Sequence, residues 1–224
     1  MCGIVCALNI NENPEILRPQ LLEMSKKLRH RGPDWSGIFS DKNAVLAHER
    51  LAIVDPKSGQ QPLYSKDGRY VLAANGEIYN HLELREKYAK NHDFLTDSDC
   101  EIIIALYNLK GKDFLNDLNG IFGFVLYDSF ENKFLVARDH VGIIPLYVGW
   151  DKNDTMYVSS ELKALDGKCQ KIEIFPPGSL YHSDDKDYVK WYSKSWMNFE
   201  TVKNNITKIE LLKKSLEDAV HRQL

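Results

Sequence analysis

Apolar positions along the chain repeat with two different periods. Cys2 to Ile10, CGIVCALNI, is a near-continuous apolar run that predicts a buried strand, closed by the polar Asn11 to Pro14. From Pro14 the spacing becomes three and four. Ile16, Leu17, Leu21, Leu22, Met24 and Leu28 predict one face of a helix reaching Arg29. The polar, Gly- and Pro-bearing stretch His30 to Gly37 reads as a loop. Alternation returns in Gly37 to Phe39 and in Ala44 to Val54, and Asp67-Gly68 between apolar stretches predicts a hairpin. The strand after it, Arg69 to Ala74, runs into Asn75-Gly76-Glu77, which reads as its end. Asn80 caps a helix from His81 to about Lys90.

The second half turns to strands. Asp97, Ser98 and Asp99 offer caps for an apolar helix, Cys100 to Leu109. Ile121 to Tyr127, Lys133 to Arg138, Pro145 to Trp150 and Met156 to Ser159 follow as strands joined by short turns, and Glu161 to Leu165 reads as one helical turn. Pro176, Pro177 and Gly178 introduce two weaker strands, Gly178 to His182 and Tyr188 to Tyr192. Lys208 to Leu224 is an amphipathic helix with Ile209, Leu212, Leu216, Val220 and Leu224 on one face. Strands in succession with helices grouped between them predict an α+β protein rather than alternating βαβ units. The last helix has no Gly or Asn stop signal, the pattern of a piece of a longer chain.

Composition narrows the function classes. The 224 residues make one large domain or two small ones, and 43% hydrophobic residues are enough for a core without staples. Lys and Arg total 29 against 32 Asp and Glu, so the basic excess of a nucleic-acid binder is missing. No apolar run reaches the roughly 18 residues that span a bilayer, and Met1 to Ile10 lacks the form of a secretory signal. Nucleic acid and membrane are therefore not expected partners, and the expected location is cytoplasmic. The cysteines, Cys2, Cys6, Cys100 and Cys169, show no Cys-x-x-Cys pair and the seven histidines no ligand spacing, so no metal is expected.

Chemistry is concentrated in a few places. Trimming of Met1 before the small Cys2 leaves a thiol and a free α-amine on one residue. The thiolate is the nucleophile, with a free pKa of about 8.5. An α-amine at roughly 7.7–8.0 can take its proton, with no histidine required. Taken alone, Cys2 reads equally as an ordinary buried cysteine, and Cys6, Cys100 and Cys169 read as core or surface thiols. Arg50, in HERLAIVD, is a fork for a carboxylate or a surface ion-pair residue. Asn75 offers an amide donor and Gly76 a closely approachable N–H, the pair an acyl-transfer oxyanion needs, or else a plain turn. Glu77 can pair with an ammonium group. Asp99 is either a helix cap or a second ammonium partner. No Gly-x-Ser-x-Gly elbow is present.

Taken in order, Met-Cys-Gly-Ile, RHRGPDWSG, HERLAIVD, NGEIYN and SDCEII, with RDHVGIIPLY and FPPGS further on, resemble the glutaminase domain of glutamine-hydrolysing asparagine synthetases across essentially the whole chain. That family belongs to the N-terminal-nucleophile class II glutamine amidotransferases. The resemblance implies a four-layer αββα sandwich of two antiparallel sheets. It implies Cys2 as nucleophile and Asn75 and Gly76 as the oxyanion hole. Arg50 holds the glutamine α-carboxylate, Leu51, Ile53 and Val54 make pocket contacts, and Glu77 and Asp99 hold the substrate end of glutamine, Asp99 chiefly its α-ammonium. Pro33-Asp34-Trp35 favours the asparagine branch over the purine and amino-sugar amidotransferases.

By the same resemblance, residues 1–200 form the amidotransferase domain and 201–224 the linker and first helix of an ATP-dependent synthetase domain. Its Ser-Gly-Gly-Leu-Asp-Ser pyrophosphate loop is absent from this sequence. No cofactor is expected on this chain; ATP and Mg belong to the absent domain. Glutamine, the protein's own synthetase domain and a second copy in a homodimer are the partners the resemblance allows, with ammonia passing through an internal channel to an adenylated aspartate. Two other readings stay open: a catalytically dead module that senses glutamine or docks onto a partner, and an amidotransferase serving another acceptor.

Overall fold

A computed structural model describes residues 1–88 and 90–223. The chain divides into two compact units, Met1–Trp191 and Tyr192–Leu224. The first unit opens with β1 (Gly3–Leu8), α1 (Pro14–Lys26), β2 (Trp35–Ser40) and β3 (Ala44–Arg50). The hairpin β4 (Leu63–Tyr64) and β5 (Tyr70–Ile78) follows, then α2 (His81–Tyr88), a 3₁₀ turn at Asp99–Glu101 and α3 (Ile102–Lys110). After a 3₁₀ stretch, Gly111–Asp117, come β6 (Gly120–Asp128), β7 (Lys133–Arg138), β8 (Tyr147–Trp150) and β9 (Met156–Ser159). The short helix α4 (Leu162–Leu165) leads to β10 (Lys171–Ile174), β11 (Ser179–His182) and β12 (Tyr188–Lys190).

Among the described residues these strands form two six-stranded sheets, in the orders β10-β8-β9-β1-β3-β2 and β12-β11-β7-β6-β5-β4. Every strand pair is antiparallel. The period of two divides the core into three layers of side chains. Ile4, Cys6 and Leu8 of β1 meet Val71 and Ala73 of β5 and Val125 and Tyr127 of β6 between the sheets. Val5 and Ala7 face the other way, onto Leu17, Leu21, Met24 and Leu28 of the α1 segment. Leu72 and Ala74 of β5 pack outward against Ile102 to Leu106 of α3. The order is helix, sheet, sheet, helix, as expected from the resemblance.

Several local expectations shift. The segment expected as loop up to Gly37 enters β2 at Trp35, because Trp35, Ser36 and Gly37 pair with Arg50, Glu49 and His48. Asn75-Gly76-Glu77 does not end its strand: β5 runs on to Ile78, with Asn75, Gly76 and Glu77 opposite Gly123, Phe122 and Ile121. Tertiary pairing overrides the turn preference of Asn-Gly. The helix from His81 ends at Tyr88, and Ala89 lies outside the described residues. Strand β10 has no counterpart in the sequence reading. In the second unit, a short α5 (Phe199–Val202) precedes α6 (Ile209–His221), which carries the foreseen apolar positions from Ile209 to Val220; Leu224 is outside the described residues. Among the described residues no helix is long and apolar enough to cross a membrane.

Candidate active site

Alternation that builds the core also builds a cleft at one end of it. Cys2 precedes β1 in register with the inward-facing Ile4, Cys6 and Leu8. Arg50 continues the inward Ala44 and Leu46 of β3, and Asn75 continues the inward Val71 and Ala73 of β5. Where the apolar filling stops, a cleft opens between the sheets. Its lining includes every residue singled out in the sequence: Cys2, Arg50, Leu51, Ile53, Val54, Asn75, Gly76, Glu77 and Asp99.

The Cys2 thiol lies 3.6 Å from the Leu51 carbonyl oxygen, and the Leu51 N–H donates to Cys2 Sγ at 3.4 Å. Burial pushes this thiol up; the Leu51 N–H, the chain's amino-terminal charge and Arg50 pull it back down, while Asp99 adds to the rise. Burial also raises the other three thiols, Cys169 to about 11 and Cys6 and Cys100 further. None of those has a guanidinium lowering it.

Arg50 is buried, and its guanidinium donates to the carbonyls of Val54 at 3.2 Å, Asp55 at 2.5 Å and Pro56 at 3.4 Å. Three of the five guanidinium N–H donors are thereby engaged, while the residue still lines the cleft. The loop it organises brings Val54 into the lining. This is a built anchor rather than a surface ion pair.

Along the open edge of β5 the antiparallel ladder leaves every second N–H unpaired by β6. Ala74 N–H donates to Gln61 Oε1 at 2.7 Å, and Ile78 N–H to Asp99 Oδ2 at 2.7 Å. The N–H of Gly76, between them, opens into the cleft. No other residue fits here: a Cβ on Gly76 would stand 2.2 Å from the Ile121 carbonyl oxygen. Beside it the Asn75 Nδ2 is buried with no hydrogen-bond partner. A buried unpaired donor costs about 1–3 kcal/mol, and this one is held where a ligand oxygen can take it. Asp99 is not a helix cap; one oxygen pins β5 and the residue still faces the cleft.

Residues that the sequence did not single out complete the surroundings. Gln61, Gly59, Ser98, Ile121 and Ile144 also line the cleft, as does Cys100. Arg31 donates from Nε to the Cys2 carbonyl at 2.9 Å, and Asp34 Oδ2 accepts from the Ala52 N–H at 2.9 Å. Both belong to the polar segment flagged in the sequence, but no spacing rule distinguishes Arg31 from its neighbours Arg29 and His30.

The family model described as a glutamine amidotransferase domain matches residues 1–206. Over all 224 residues the chain is 49% identical to asparagine synthetase B [glutamine-hydrolyzing] of Escherichia coli strain K12 and 46% identical to the asparagine synthetase [glutamine-hydrolyzing] of Asparagus officinalis. It spans 40% and 38% of the length of these relatives. In three dimensions it resembles the glutamine phosphoribosylpyrophosphate amidotransferase of B. subtilis, with a TM-score of 0.70 at 22% identity over 86% of this chain and 50% of that one, a likeness of fold. Motif order, sheet architecture and family match agree: the chain belongs to the glutamine amidotransferase domain family.

Proposed function

We propose that this domain hydrolyses the side-chain amide of glutamine and delivers ammonia for the ATP-dependent conversion of aspartate to asparagine on a separate synthetase domain. One observation carries the hydrolytic step: the unpartnered Asn75 amide and the open Gly76 N–H share a cleft with the Cys2 thiol. Glutamine would place its α-carboxylate against the Arg50 guanidinium and its α-ammonium against Asp99 and Glu77. Leu51, Ile53 and Val54 would pack along its stem.

Because burial raises the thiol, Cys2 needs a base. With Met1 attached, the Cys2 nitrogen is an amide and has no basic lone pair. With Met1 removed, it is an amine that takes the thiol proton. The sulfur then bonds to the amide carbon, and Asn75 and Gly76 receive the oxyanion. The ammonium returns its proton to the leaving nitrogen, the C–N bond breaks, and ammonia leaves a γ-glutamyl thioester. Water adds to that carbonyl, releasing glutamate and the free thiol.

The greater length of both relatives supports the second domain, with residues 201–224 as the start of the connection to it. That both relatives are glutamine-hydrolysing asparagine synthetases supports asparagine as the product. The four free cysteines fit a reducing compartment, so the proposal places the protein in the cytoplasm. Ammonia release from L-glutamine by the purified chain, with Met1 removal checked by intact mass, tests the reading. Turnover that is abolished in Cys2→Ala supports it. A Met1-free protein that releases no ammonia, or a Cys2→Ala variant as active as wild type, overturns it.

A further inference from the structure

The amino-terminal strand is gripped residue by residue by consecutive positions at the end of β9. Ser159 is the ladder partner of Val5. Ser160 holds Ile4 twice: the Ile4 N–H donates to Ser160 Oγ at 3.0 Å, and the Ser160 N–H to the Ile4 carbonyl at 3.0 Å. The next residue, Glu161, reaches Cys2 through one intermediary. Arg31 Nε donates to the Cys2 carbonyl at 2.9 Å, and Arg31 Nη1 donates to Glu161 Oε1 at 2.9 Å. The Arg31 side chain is only 12% exposed, and its third nitrogen, Nη2, is buried without a partner. The Cys2 carbonyl and Glu161 are thus the two groups that orient this planar fork.

Glu161 is itself fixed. His30 Nε2 lies 3.0 Å from Oε1 and Lys163 Nζ 3.0 Å from Oε2; burial alone would raise its carboxyl, but hydrogen bonds from Arg31, Lys163 and His30 hold it down at about 2. A Cβ on Gly3 would stand 2.8 Å from Leu28 Cβ, so the backbone beside Cys2 lies close against the end of the α1 segment.

We propose that Glu161 is a positioning residue for Cys2, acting by orienting Arg31 on the Cys2 carbonyl. The proposal rests on the glutaminase reading above. Once Met1 is gone, Cys2 is a chain terminus and its amine and thiol both hang from one Cα. Fixing the carbonyl oxygen fixes the peptide plane, and with it the Cα that carries nucleophile and base. Glutamine itself is held elsewhere, on Arg50 and Asp99, so Glu161 should govern turnover rather than substrate affinity.

Glu161→Gln keeps the shape and an acceptor oxygen but removes the charge that orients the guanidinium. In Met1-free protein, kcat for glutamine should fall about tenfold to a hundredfold while KM stays within about twofold. In an Arg31→Lys background the same substitution should add less than about twofold, because the intermediary is already altered. An unchanged kcat in Glu161→Gln, or losses that multiply in the Arg31→Lys background, would overturn the proposal. Iodoacetamide alkylation of Cys2, followed by peptide mass at fixed pH, reads the same effect without turnover. Its rate should change about threefold or more in Glu161→Gln but not in the Arg31→Lys background; an unchanged rate counts against the proposal. Failure of the glutaminase reading is seen separately, as wild-type protein that releases no ammonia. Should Glu161→Gln melt early, Glu161→Asp, which keeps the charge but falls one methylene short, carries the comparison.

Discussion

Across the gap between the sheets, His48 Nε2 of β3 lies 2.9 Å from the carbonyl oxygen of Ala74 in β5. A carbonyl only accepts, so Nε2 carries the hydrogen and donates it. The bond ties the sheet that begins beside Cys2 to β5, one residue before Asn75. His48 is fully buried, its Nδ1 has no partner, and burial pushes its pKa down to about 4, with the Ala74 bond opposing that fall and Arg50 adding to it.

A pH dependence of stability follows from this pair. The unfolded chain binds a proton at His48 near pH 6.5 and the folded chain near 4, so between those values the unfolded state holds more protons. The stability from this residue is therefore complete above about 6.5 and is lost as pH falls to about 4, by about 3 kcal/mol. Urea unfolding at intervals from pH 4 to 7 measures it. A His48→Gln variant should show a shallower slope across that window; parallel curves would contradict the assignment.

Asn75→Ala removes one of the two proposed oxyanion donors and, with it, a buried amide that has no partner. Folding stability should change little or rise, whereas kcat should fall about a hundredfold to a thousandfold with KM much less affected. Melting temperature and steady-state kinetics on one preparation separate the two effects. A loss confined to KM would assign Asn75 to substrate binding instead.

Gly76→Ala should act on the fold first. The added Cβ meets the backbone oxygen of Ile121 at 2.2 Å, and a backbone group paired in the β5–β6 ladder cannot step aside cheaply. The expected cost is about 3 kcal/mol or more. A melting midpoint equal to wild type would show that β5 and β6 are spaced more loosely than described here.

Arg50→Lys keeps the charge but cannot hold the carbonyls of Val54, Asp55 and Pro56 while offering a fork to a carboxylate. KM for glutamine should rise about tenfold to a hundredfold, with a smaller change in kcat. Glutamine kinetics decide it; a KM within about twofold of wild type would remove Arg50 from substrate recognition.

Much of this arrangement was legible because it is local. The apolar run of β1, the Asp67-Gly68 hairpin and the alternating strands β6 and β7 are specified by their own residues, and the structure places them close to their expected limits. The nine site residues came from motifs in fixed order, and all of them line one cleft. What the sequence hid depends on distant pairing. Asn-Gly has turn chemistry, yet Asn75 and Gly76 stay extended because Gly123 and Phe122 lie opposite them. Asp99 looks like a cap, and only the arrival of β5 turns its oxygen to the Ile78 N–H. Arg31 and Glu161 are 130 residues apart, and nothing in either neighbourhood announces the other.

The cleft draws Cys2 from one sheet and Asn75 and Gly76 from the other, so on the proposed function catalytic competence doubles as a gauge of assembly. A partly folded chain with either sheet formed alone has secondary structure but no reactive centre. In a refolding experiment, ammonia production should therefore return only with the docking of the two layers, however early the circular dichroism of the strands recovers.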